Sequence, residues 1–144
     1  MDAESLRAYL LSLPDVAETM QWGDNLVYWI PDKAIGGKMF ALASLSPDRS
    51  AVLSFAAGPE RFAELVEIEG VRPAPYLARA HWVAIESWST LPPHQLKELL
   101  RHARDLVYEK LPPRTRDVLV LSAPEKRKLI AARRKQLASK GKTR

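Results

Sequence analysis

The chain has 144 residues, 47% of them hydrophobic, and no cysteine. That length suits one domain with a modest appendage, and the missing cysteines exclude disulfides, thiolate metal sites and a cysteine nucleophile. The net charge of +5 is unevenly held: Lys+Arg number 11 against 15 Asp+Glu through Lys110 (net −4), then 11 against 2 from Leu111 onward (net +9). Such a split describes an acidic body carrying a cationic arm, suited to nucleic acid, an anionic membrane surface or an acidic protein. Met1-Asp2-Ala3-Glu4 is acidic and lacks the basic start and apolar block of a signal peptide. No apolar run approaches the roughly 18 residues that cross a bilayer. A cytoplasmic protein with no membrane partner is expected.

Leu6, Tyr9, Leu10 and Leu13 fall at i, i+3, i+4 and i+7, one face of a helix over residues 3–13 that Pro14 stops. Residues 18–22 read as a short edge strand turning at Gly23-Asp24-Asn25, and Leu26–Ile30 as a strand rich in β-branched and aromatic residues. Pro31-Asp32-Lys33 is a turn by composition. Gly36-Gly37 then precedes a strand over 38–45, a turn at Ser46-Pro47-Asp48-Arg49 and a strand over 51–55. Gly58-Pro59 opens a helix with Phe62, Leu65 and Val66 inward. Val71–Leu77 reads as a proline-stiffened loop, and His81–Glu86 as a strand returning to the same sheet. Pro92-Pro93 start the longest helix, which runs to Pro112-Pro113 with Leu96, Leu99, Leu100, Ala103, Leu106, Val107 and Leu111 at helical spacing and Lys97, Glu98, Arg101, Arg104 and Asp105 outward.

The predicted architecture is α+β: an antiparallel sheet of about five strands with helices on one side, in the order α-β-β-β-β-α-β-α. A basic extension over 113–144 follows the domain of residues 1–112. In it Val118-Leu119-Val120-Leu121 is an apolar patch expected to dock on the body. Ser122-Ala123-Pro124-Glu125 fits a capping box, starting a helix over about 123–138 with a disordered end beyond it.

The body resembles the MmcQ/YjbR family of small bacterial proteins. The resembling residues are Leu13-Pro14-Asp15-Val16 with Glu18, Trp22-Gly23, Gly37-Lys38-Met39-Phe40-Ala41, Val71–Leu77, His81-Trp82-Val83 and Leu106–Pro112. The resemblance implies a CyaY-like fold. It also implies a DNA-binding role, through likeness to the double-wing DNA-binding domain of a phage transcription factor. Residues 113–144 lie beyond the family core.

The candidate phosphate contacts are Lys126, Arg127, Lys128, Arg133, Arg134 and Lys135 of the arm, joined by Lys38, Arg72, Arg79 and His81 of the body. Trp82 beside those body cations suits a groove for an unpaired base or a small anion, or else the core. Trp29 reads as core, Trp22 as packing a turn against the sheet, and Trp88 as partly exposed. Ser44, His81 and Asp48 form a triad only on paper, with no nucleophile elbow around the serine. The three histidines have no metal-ligand spacing, and His102 reads as an i,i+4 surface partner of Glu98. Gly36-Gly37-Lys38 lacks the rest of a phosphate loop. The expectation is a non-enzymatic, cofactor-free, monomeric protein that binds DNA with low specificity. A protein module docking an acidic partner and a binder of a small anionic ligand are the alternatives.

Overall fold

The computed structural model describes residues 1–46 and 50–142. Helix α1 (Ala3–Ser12) begins where Asp2 accepts the Ser5 N–H at 2.7 Å, and it buries Leu6 and Leu10 completely. Four strands follow: β1 (Ala17–Gln21), β2 (Asn25–Ile30), β3 (Lys38–Ser44) and β4 (Leu53–Ala56). Helix α2 (Pro59–Leu65) leads to β5 (Val71–Pro73) and β6 (Trp82–Ile85). Three helices close the chain: α3 (Pro93–Glu109), α4 (Pro113–Leu119) and α5 (Ala123–Lys142).

The strands form one antiparallel sheet in the order β1-β2-β3-β4-β6-β5. Tyr28, Phe40, Phe55, Val83 and Ile85 pack from the sheet against Leu6 and Leu10 of α1 and Leu96, Leu99, Leu100 and Ala103 of α3. Trp29 and Trp82 are buried and Trp88 is half-buried. Each buried Leu of this kind contributes about 2 kcal/mol through lost apolar contact with water.

The sheet has two ends. Ala17, Ile30, Lys38, Ala56 and Trp82 lie at one, and Gln21, Asn25, Ser44, Leu53, Ile85 and Val71 at the other. The connection from β2 to β3, a 3-10 turn over Lys33–Ile35, sits at the first end. Gly37 follows it with no room for a side chain, since a Cβ there would lie 1.7 Å from the Pro31 carbonyl oxygen.

The sheet has six strands, not about five. Val71–Pro73, read from sequence as loop, pairs with β6 as an edge strand, the place where proline's missing N–H is tolerated. The arm also differs from expectation. Of the expected docked patch Val118–Leu121, Val118 and Leu119 are half-buried and Val118 faces the 3-10 turn, whereas Val120, just beyond α4, is 84% exposed. Helix α5 runs to Lys142 rather than to about 138. Residues 47–49 of the predicted turn, and the last two residues of the predicted disordered end, lie outside the described residues.

Candidate nucleic-acid interface

The arm helix is built as its sequence pattern predicts at its start. Ser122 Oγ accepts the Glu125 N–H at 3.3 Å and donates to Glu125 Oε1 at 3.0 Å. What the sequence does not reveal is that α5 lies against the body. Lys126 and Ile130 face a seam made by Asp15, Val16, Pro31, Asp32 and Ile35. Lys126 Nζ meets Asp15 Oδ1 at 2.8 Å, with both side chains largely covered, at 20% and 23% exposure. Arg134 pairs with Asp32, whose other oxygen accepts the Ala34 N–H at 2.9 Å. Asp32 therefore fixes the 3-10 turn and the arm together.

Lys126 and Arg134, read from sequence as phosphate contacts, thus pair with the body's own carboxylates, Lys126 largely covered and Arg134 62% exposed. Their i, i+4, i+8 spacing with Ile130 makes this the inner face. Arg127, Lys128 and Lys135 are exposed and have no ion pair among the described residues. Lys128 and Lys135 are seven residues apart, so they share the outer face about 10 Å from one another along the axis. Arg133 is exposed beside the inner face.

The body's candidates divide. Lys38 is exposed at the start of β3, at the end of the sheet where α5 docks. Arg79 is exposed in the loop before β6, at that same end. His81 is half-buried in a left-handed conformation (φ 60°), its ring edge-on to Phe62 at 5.5 Å, so packing explains it. Arg72 is elsewhere: on β5 it donates to Ser50 Oγ and lies 4.0 Å from Glu86, three strands away from Lys38, or about 14 Å. Lys38, Arg72 and Trp82 therefore do not form one groove. Trp22 does not pack its turn and is 59% exposed.

Sequence reasoning missed Tyr76, which is fully exposed at φ 66° three residues before Arg79. Positive φ is uncommon for an aromatic residue, but sequence carries no sign of it. Arg104, expected on an exposed helix face, instead donates to the Pro14 carbonyl at 3.0 and 2.8 Å and ties α3 to the turn after α1. Glu98 pairs with Arg61 at 3.6 Å rather than with His102. His102 Nδ1 is buried without a partner, and burial, then Arg61, hold its imidazole below the ordinary range. Burial likewise pushes the Tyr28 hydroxyl up, with Glu18 acting in the same sense. Ser44 and His81 lie at opposite ends of the sheet, and Asp48 is outside the described residues.

Among the described residues no group of three His, Cys, Asp or Glu is placed to hold a metal, and no helix is long and apolar enough to cross a membrane. The family model described as YjbR matches residues 11–106. The chain is similar to the crystal structure of Deinococcus radiodurans protein DR2400, a DUF419 domain: 30% identity and a TM-score of 0.71, over 83% of this chain and 88% of that one. A Pseudomonas syringae protein shares the fold at 18% identity and a TM-score of 0.60, over 74% of this chain and 99% of that one. No curated protein matches the chain.

Proposed function

The chain belongs to the YjbR family, and on that premise we propose that it binds duplex DNA through backbone phosphates, with low sequence specificity. The observation that carries this reading is the cationic surface of α5, where Lys128 and Lys135 on the outer face and Arg127 on its flank stand exposed with no carboxylate to meet them among the described residues. A phosphate backbone neutralises such charges and releases condensed counterions, a favourable term that needs no base contact. Lys126 and Arg134 serve a different purpose. They anchor the helix, so the outward cations are presented on a fixed element rather than a loose tail, which lowers the ordering cost of association. Lys38 and Arg79, at the same end of the sheet, extend the positive surface beyond the helix.

Fluorescence anisotropy with a labelled mixed-sequence duplex at low salt tests the proposal. Saturable binding by the native chain, and its loss in R127Q/K128Q/K135Q, supports it. No binding at low salt, or equal binding by that variant, overturns it. Capture of a protein partner that survives nuclease treatment and depends on the same three residues would favour an acidic protein as the target instead.

A further inference from the structure

The docked arm creates a concavity that neither the body nor the helix has alone. Between the 3-10 turn, α4 and α5 lies a cleft of about 430 Å³. Ile35, Val118 and Leu129 give it an apolar lining, and two arginines from different helices, Arg114 of α4 and Arg133 of α5, also line it. No carboxylate lines it, and neither arginine has an ion pair among the described residues. Their neighbours are occupied: Arg134 with Asp32, and Arg116 with the Glu109 carbonyl and the Tyr108 ring. Thr115, 5% exposed, also lines the cleft. Its Oγ1 would lie 3.0 Å from a Cβ on Gly36, so the glycine leaves that hydroxyl uncrowded.

We infer that this cleft binds an organic phosphate monoester, its phosphoryl group between Arg114 and Arg133 and its apolar body against Ile35, Val118 and Leu129. The volume falls within the range of small-molecule sites, about 300–1,000 Å³. Two guanidinium forks match the charge and oxygen count of a phosphoryl dianion, whereas one fork satisfies a carboxylate. A terminal monoester has a free end that can enter the cleft; a backbone phosphodiester carries one charge and is flanked by sugar on both sides. The site uses the edge of α5 turned toward the body, so it is separate from the outer-face reading for duplex DNA.

The test is a titration of the full chain with phenyl phosphate, without nucleic acid, followed by calorimetry and by amide chemical shifts. The expected result is saturable one-site binding, tighter than inorganic phosphate, with shifts centred on Ile35, Gly36, Thr115 and Leu129. R114Q and R133Q should each weaken it about tenfold or more, from loss of a charged hydrogen bond. R127Q/K128Q, which removes charge outside the cleft, should leave the affinity unchanged. Absence of saturation, shifts scattered along the outer face of α5, or equal weakening by R127Q/K128Q would each overturn the assignment.

Discussion

Replacing Asp15 by Asn tests whether the arm is held by charge. Asp15 adopts φ 62°, a left-handed conformation that Asn also tolerates, so the substitution removes the charge and leaves the backbone in place. The lost contact is the 2.8 Å pair with Lys126, whose partners are 20% and 23% exposed. An open surface pair contributes under 1 kcal/mol and a well-covered charged hydrogen bond up to about 3, which puts this one near 1.5 kcal/mol. That is about a tenfold shift in the equilibrium between docked and undocked arm. Native-state hydrogen exchange at the α5 amides reads it, because these amides exchange through local opening. D15N should speed exchange over residues 127–134 about tenfold and leave the α3 amides unchanged, and a cycle with K126M should show coupling of about 1 kcal/mol. Unchanged α5 exchange in D15N, together with coupling below about 0.3 kcal/mol, would refute the reasoning.

Two further outcomes follow from the geometry. G37A should destabilise by about 3 kcal/mol and lower Tm by roughly 10 °C, because the added methyl meets the Pro31 carbonyl. G23A, at φ 85° but with nothing within 4 Å of its Cβ, should cost only about 1 kcal/mol, and similar losses for the two would contradict the steric argument. His102 gives a pH dependence. Its folded-state pKa is depressed below the ordinary 6.5, so as the pH falls the unfolded chain takes up the proton first. Its contribution is whole above about pH 6.5 and is lost as pH falls toward the folded value, so Tm should drop less in H102Q than in the native chain between about pH 7.5 and 5.5. Equal drops in thermal melts would contradict this.

The body was legible because its signals are local. Leu6 and Leu10 at helical spacing, the apolar run of α3 and the aliphatic strands each announce their own element. Val71–Pro73 was not legible, since two nearby prolines argue against a strand unless the position is known to be an edge. Helix α4 hid behind Pro112-Pro113, which reads as a stop, while the same proline at N1 starts the next helix. The arm's division into inner and outer cations was invisible for a different reason. Lys126 meets a carboxylate 111 residues away and Arg134 one 102 residues away, and nothing in the composition of α5 distinguishes these two from Arg127, Lys128 or Lys135. The distant fold alone selects them. The same holds for the cleft, whose arginines come from separate helices and whose lining includes a turn some 80 residues earlier in the chain.

The salt dependence of duplex binding tests the central claim most directly. Each phosphate neutralised adds about −0.9 to the slope of log K against log salt concentration, so Arg127, Lys128 and Lys135 together account for about −2.7 of it. R127Q/K128Q/K135Q should flatten it by about 2.7, whereas K126Q, which loosens an anchor, should leave the slope nearly unchanged. A slope that stays the same when the three outward cations are removed, or that falls as far with K126Q, would contradict the account.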